Sequence, residues 1–504
     1  MTTTTTATSH PNGAPSSNLD ILIIGAGISG INAAYRIQTT LPSSSYAILE
    51  RRHELGGTWS LFKYPGIRSD SDLHTFGFPF NPWQKPNPIA TGESIVEYMH
   101  ETAEKFGIGG NIRFGHKVVS ADWRGEEQRW RVDVQVGEGE EGARKVLYTK
   151  FLIMGTGYYN YDKPLQADIP GLERFQGTRV HPQFWPEDLE YKGKKVVVIG
   201  SGATTITILP AMVDGGVGQI TQLQRSPSYV MNMPQKRPGE LDWYERLLPR
   251  WLALRITRMK FIVIPWLFFI FCKRFPNAAR NVLRGEAKKL LPKDFVMDPH
   301  FQPGYNPWDQ RLCLCPDADF FRCFETGRAR IVTGTIKSVV EDGIELNSGE
   351  KLDADIIITA TGLNLQFCGG VRLSVDQEPV DITDRFLWRA SMLTGVPNLG
   401  LIVGYVNASW TLGSDTASRL LVRLYKYMQD NKYTSATPVI SEAEKRNPRV
   451  PLELKSTYVE SGLKKMPHAG NSGPWLPREN YLKDSWAANW ADLRPGLEFG
   501  KVSS

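Results

Sequence analysis

Two stretches of the chain share one pattern of apolar and polar positions. In each, a short unbroken apolar run meets a glycine turn, and the turn opens into helically spaced residues. The first is LDILIIGAGISGINAAYRIQ, with Gly25-x-Gly27-x-x-Gly30 after the run. The second is KKVVVIGSGATT, with Gly200, Gly202 and Thr204, and with Thr205 where a third glycine would stand. Apolar runs of this length closed by glycine predict buried strands, and the residues beyond them predict helices. Each unit then gives a further strand: YAILE, ending in Glu50, and QLQRS, ending in Arg225 and Ser226. FLIMGTGYYN and ADIIITATGLN predict two more strands that end in turns at Gly155 and Gly362. A repeated strand–turn–helix–strand order predicts an α/β fold with two Rossmann-like dinucleotide-binding domains.

The turns carry a physical meaning. Glycines allow a tight bend, close approach of the backbone to a pyrophosphate, and packing of the helix on the strand. The start of the helix offers unpaired N–H groups to phosphate. The two units differ at the next strand end. Glu50 follows Gly25 by 25 positions, and Arg225 follows Gly200 by 25. A carboxylate accepts hydrogen bonds from a ribose 2′-hydroxyl and would repel a 2′-phosphate, which an arginine binds. The first unit therefore suits FAD and the second NADPH, with Ser226 as an added hydroxyl donor. The plainer alternative is an Arg225 that merely extends from a strand end. A β-branched Thr205 should push the second helix slightly off its strand without loss of the site.

Composition narrows the chemistry. At roughly 150 residues per domain, 504 residues give two to four domains. The net charge of +6 is spread thinly, and no lysine- or arginine-rich run marks a nucleic-acid arm. The five cysteines form no C-x-x-C pair, so neither a dithiol acceptor nor a zinc ribbon is suggested, and reduced thiols in a cytoplasmic compartment fit best. Cys313 and Cys315 are spaced for one face of a strand, either as paired thiols or as two small buried residues. With two dinucleotide sites and no dithiol, oxygen becomes the expected electron acceptor. The polar start of the chain, residues 1–18, is expected to be a disordered tail.

One segment stands apart. RITRMKFIVIPWLFFIFCKRF is continuously apolar from Phe261 to Phe271, flanked by Lys260, Lys273 and Arg274 and interrupted by Pro265. It is too short for a bilayer-spanning helix of about 20 residues. Two readings stay open: a helical insertion, about 241–300, that roofs a substrate pocket, or an anchor over 250–275 that associates peripherally with membrane.

Two fingerprints carry a resemblance. GGTWSLFKYPGIRSD runs from Gly56 through Gly57, Thr58 and Trp59 to Asp70, and FQGTRVHPQFWP holds His181, Trp185 and Pro186. Together they resemble the paired signatures of Baeyer–Villiger monooxygenases, class B flavin monooxygenases with separate FAD and NADPH domains. With YNPWDQRLC, ADIIITATGLNLQ and GYVNASWTL, the chain is most similar to the ethionamide-activating subgroup, from about residue 19 onward. The resemblance implies an FAD domain in two parts (19–165 and 346–504), a linker with the histidine motif (166–190), and an inserted NADPH domain (191–345). It implies cofactor contacts at Gly25, Gly27, Gly30, Glu50, Gly57, Thr58, Trp59, Asp70, Gly200, Gly202, Thr204, Arg225 and Ser226, and no metal.

The resemblance also implies the reaction: NADPH reduces FAD, oxygen forms a C4a-peroxyflavin, and one oxygen atom enters a lipophilic ketone to give an ester or lactone. Arg311 matches the active-site arginine, and Asp70 its partner. His181 and Trp185 are expected to couple cofactor position to domain motion. The position before Arg311 often holds lysine in such enzymes but is Gln310 here, which leaves more of the NADPH preference to Arg225. A helix starting near Asn407 is expected to face the flavin. The alternatives are S- or N-oxygenation of substrates such as thioethers, a peroxide-releasing oxidase, and a non-catalytic cofactor binder.

Overall fold

The computed structural model describes residues 17–137, 142–237, 239–405, 407–451, 462–478 and 480–501. The expected tail lies outside them apart from its last two residues, and Asn18 already opens the first strand. That strand, β1 (Asn18–Ile24), lies parallel between β2 (Tyr46–Leu49) and the long strand Ala143–Met154. Ala143–Met154 pairs with three strands, Leu399–Leu401 lying parallel to its last residues. Its first half pairs antiparallel with Arg129–Val136, and its second half lies parallel to β1. These strands belong to a nine-stranded sheet closed on one side by Ile112–Arg113 and on the other by Arg372–Val375 and Glu378–Pro379.

Side chains on a strand alternate between faces, and the cores follow that period. Ile21 and Ile23 enter the core beneath helices α1 (Ile28–Thr40) and Trp410–Asp430, while Leu22 and Ile24 enter a second core with Trp130 and Val132. Burial on both faces explains why the run contains almost no polar residue.

A second, five-stranded sheet is wholly parallel. It holds β3 (Lys195–Ile199), β4 (Gln219–Gln224), Ala329–Thr333, Ile356–Thr359 and Thr178–Val180. Helix α2 (Ala203–Asp214) links β3 to β4. Val196 and Val198 face one core, and Val197 and Ile199 the other. The sheet thus reaches into the stretch expected as linker, through Thr178–Val180. It also draws Ile356–Thr359 from the stretch expected for the returning FAD domain.

The region around 241–300 is helical: Trp243–Leu247, α3 (Arg250–Arg274, 25 residues) and Pro276–Leu290. Helix α3 runs through Pro265, where an interruption was expected. Proline removes one backbone hydrogen bond. Ile262 and Cys272, buried on either side, hold the helix across that gap. Helix α4 (Trp410–Asp430) begins three residues later than expected, with Ser409 as its N-cap. Cys313 and Cys315 both face the core that holds Val196 and Val198, and all five cysteines are free and buried.

Candidate active site

The two glycine turns are built alike. The Gly25 N–H donates to Leu49 O at 2.8 Å and the Gly200 N–H to Leu223 O at 2.9 Å, so each turn is tied to the end of the neighbouring strand. Both glycines hold positive φ, +101° and +144°. A Cβ at Gly25 would lie 2.8 Å from Gly155 O, and one at Gly200 would lie 2.3 Å from Ala360 O. Each turn therefore presses against the loop after a further strand. Neither Gly27 nor Gly202 makes a side-chain cap at the helix start it precedes. The first N–H groups of α1 and α2 are thus left for other acceptors, as a phosphate site requires.

A cavity of about 710 Å³ joins the turns. Gly25, Gly27, Glu50, Gly57, Thr58, Trp59 and Asp70 line it from the first unit. Gly200, Gly202, Thr204, Arg225, Ser226 and Arg311 line it from the second, with His181 and Gln310 also on the wall. Gly30 lies behind the turn, where a Cβ would stand 1.9 Å from Gly25 O. Trp185 is away from the cavity and packs on the core of the second unit.

Glu50 is buried, and its two oxygens accept from the backbone N–H groups of Ala26 (2.8 Å) and Arg52 (3.0 Å). Each oxygen keeps a further lone pair. Arg225, by contrast, is exposed at the cavity rim.

Asp70 and Arg311 meet where the units face each other. Arg311 Nε lies 2.7 Å from Asp70 Oδ2, and Nη2 donates to Asp70 Oδ1 at 2.9 Å. A bidentate fork of this kind fixes the guanidinium plane. Nη2 also reaches Ser71 Oγ at 3.2 Å. Asp309 instead accepts from Lys273 of α3 at 3.2 Å.

The Y-P-G fingerprint acquires a physical reason here. A Cβ at Gly66 would lie 2.7 Å from Ala211 Cβ and 2.9 Å from Thr207 O, so only glycine lets this loop lie against α2. The Tyr64 hydroxyl is hydrogen-bonded to Thr204, and burial pushes its pKa up. Arg68 pairs with Asp319 across the same junction. His181 caps the short turn Pro182–Phe184, its Nδ1 accepting from Gln183 N at 3.2 Å. Burial lowers the His181 pKa, against a raising contribution from the Leu165 backbone.

Several wall residues escaped the sequence reading. Tyr158 stacks on Trp410, with centroids 4.9 Å apart and planes 16° apart, and shares a 2.7 Å hydroxyl contact with Tyr159. Burial raises the Tyr158 pKa. Tyr161 meets Thr58 Oγ1 at 3.1 Å. Aromatic residues at isolated positions carry no local signal of a shared wall. The doublet Tyr158–Tyr159, just after a glycine turn, is the nearest to one.

Residues 22–229 match the family model described as pyridine nucleotide-disulphide oxidoreductase. The chain is 45% identical over 467 residues to the FAD-containing monooxygenase EthA of Mycobacterium tuberculosis, covering 93% of this chain and 94% of that protein. Among solved structures, OTEMO in complex with FAD and NADP aligns with a TM-score of 0.70 at 18% identity, over 96% of this chain and 99% of that one. Oxidized steroid monooxygenase bound to NADP aligns with a TM-score of 0.72 at 20% identity, over 96% and 100%. At such identities the structures establish the shared fold.

Proposed function

The chain belongs to the FAD-containing monooxygenase family that includes EthA, and within that family we propose that it inserts one oxygen atom of O2 into lipophilic ketones, giving esters or lactones. As a member it is a flavin-dependent monooxygenase with FAD and NADPH as cofactors. The residues fit both groups. The uncapped start of α1, the Gly27–Gly57 approach (3.7 Å from an added Cβ to Gly57 Cα) and Glu50 would hold FAD. At Gly202 an added Cβ would meet nothing within 4 Å, which leaves room beside the start of α2. Gly200, Thr204, Arg225 and Ser226 would hold NADPH, with Arg225 taking the 2′-phosphate. When bound, FAD reduced by NADPH would activate O2 for the transfer.

The observation that carries the proposal is the Asp70–Arg311 fork on the cavity wall. Guanidinium stays charged at any working pH. Asp70 holds that charge in one place, so Arg311 can stabilise negative charge as it develops on a ketone oxygen, an effect of several kcal/mol at preorganised sites. Tyr158, Tyr161 and Trp410 wall the same cavity with aromatic surface. The Tyr158 phenol is neutral at working pH whether buried or not, so it adds no competing negative charge beside Arg311. His181, as a turn cap, sets the path of the chain into the second sheet. Trp185 anchors that path on the core that holds Val196 and Val198.

The test is product analysis under ¹⁸O2 with NADPH and a panel of ketones and thioethers. The expected result is one labelled oxygen in an ester or lactone. Arg311→Ala should lower that yield roughly 100-fold or more with flavin content unchanged. Sulfoxides alone, or hydrogen peroxide alone, would overturn the ketone reading.

A further inference from the structure

Helix α3 shows water a face that a soluble domain would normally cover. Trp251, Met259, Ile264, Trp266, Leu267 and Ile270 are all exposed, Trp251 at 59% and Leu267 at 53%. Trp251, Arg255 and Met259 follow one another at i, i+4 and i+8, and Trp266, Ile270 and Lys273 continue the same stripe. Side chains of this size, about half exposed, leave several hundred Å² of apolar surface along the helix.

The charges on α3 are of one sign. The helix carries six basic residues and no acidic one. Lys260 and Lys273 pair with Asp242 and Asp309. Arg250, Arg255 and Arg274 have no carboxylate partner among the described residues. Arg255 lies over the Trp251 ring at 5.3 Å. Tryptophan beside arginine on an apolar stripe suits the boundary between lipid headgroups and acyl chains. No helix among the described residues is long and apolar enough to cross a membrane.

Other positions of α3 are firmly seated, Ile262 between Met259 and Trp266 among them. Arg258 Nη1 donates to His74 O (2.7 Å) and Gly77 O (2.9 Å), and Thr257 Oγ1 lies 3.0 Å from Tyr244 OH. Ile262 packs with Tyr405 and Leu412, and Phe268 packs beside Leu312 and Leu314. Leu314 lines the cavity, three positions after Arg311. One helix therefore has solvent on its outer side and the roof of the active site on its inner side.

We propose that the outer face of α3 docks the enzyme on the surface of anionic lipid bilayers, from which lipophilic substrate enters the cavity. The entry of substrate rests on the ketone reading above; the docking does not. The bilayer is favoured over a protein partner because the helix carries no acid and its arginines Arg250, Arg255 and Arg274 match anionic headgroups.

The experiment is sedimentation of the holoenzyme with vesicles of phosphatidylcholine containing about one-third phosphatidylglycerol, against pure phosphatidylcholine. The wild type should pellet with the anionic vesicles, and salt should weaken the binding. The double variant Leu267→Glu, Ile270→Glu should bind roughly tenfold less or weaker still, while retaining flavin and oxidising NADPH normally with a water-soluble ketone. A ketone dissolved in the vesicles should be turned over faster by the wild type than by the variant. The proposal is overturned if the wild type stays in the supernatant or if the variant pellets equally. It is also overturned if the wild type is a dimer that the same substitutions make monomeric, since the face then belongs to a second copy. Pelleting is scored without turnover, so an enzyme that binds vesicles but oxidises no ketone refutes only the ketone reading.

Discussion

The two glycine turns use one backbone design and differ in the side chains that read the ligand. Both tie the first glycine to the neighbouring strand end, both press on a further loop, and both leave a helix start uncapped by side chains. At the strand end that follows, one has a buried carboxylate and the other an exposed guanidinium. The burial difference matters as much as the sign. Glu50 is part of the scaffold, since its oxygens hold the Ala26 and Arg52 backbones. Arg225 stands at the rim, where a bulky 2′-phosphate has room. On the proposed reading, the backbone specifies that a dinucleotide binds, and one side chain specifies which.

The sharpest way to break the comparison is to make the first turn resemble the second. Gly30→Thr places a Cβ where only 1.9 Å separates it from Gly25 O. That gap is backbone against backbone, so α1 must move and the turn with it. Purified protein should then hold less than about a tenth of the wild-type flavin by absorbance, because the turn, helix start and Gly27–Gly57 approach are lost together. A fully yellow Gly30→Thr protein would show that the close packing is dispensable.

What was legible follows from how local each signal is. The strands beside the turns were legible because burial on both faces demands unbroken apolar runs. Glu50 and Arg225 were legible because their spacing from the glycines is set within one strand–helix–strand unit. Asp70 and Arg311 lie 241 positions apart and share no local pattern, so only the family fingerprints pointed to them. Arg68–Asp319, Tyr64–Thr204 and the Tyr158–Trp410 stack come from tertiary folding and leave no trace in spacing. Unit boundaries were blurred for the same reason: Thr178–Val180 and Ile356–Thr359 join the second sheet from stretches that read as linker and as first unit. Pro265 signals a break locally, yet packing on both sides of it carries α3 through.

The middle-sized effect sits on Arg225. Arg225→Ala should raise KM for NADPH by roughly 10- to 100-fold, the worth of one charge-assisted pair of hydrogen bonds. KM for NADH should change little, because that cofactor offers no 2′-phosphate, and kcat at saturation should hold. Steady-state kinetics with both cofactors separates the outcomes. Equal loss for NADPH and NADH would mean that Arg225 supports the strand end and does not read the cofactor.

The smallest effect is expected from the reverse exchange, Thr205→Gly, which gives the second turn its third glycine. Thr205 is fully buried, and its Oγ1 has no hydrogen-bond partner among the described residues. Removing that hydroxyl relieves an unfavourable burial of about 1–3 kcal/mol. Glycine inside a helix costs about 1 kcal/mol, and the lost methyl leaves a small void of similar cost. These terms oppose one another, so the net change in stability should stay within about 1 kcal/mol by denaturant unfolding. Helix α2 already stands where a Cβ fits, so KM for NADPH should move less than about threefold. Gly30→Thr and Thr205→Gly exchange the same two residues at equivalent positions. A large loss in the first and almost none in the second would show that each helix has settled at the distance its own third residue allows.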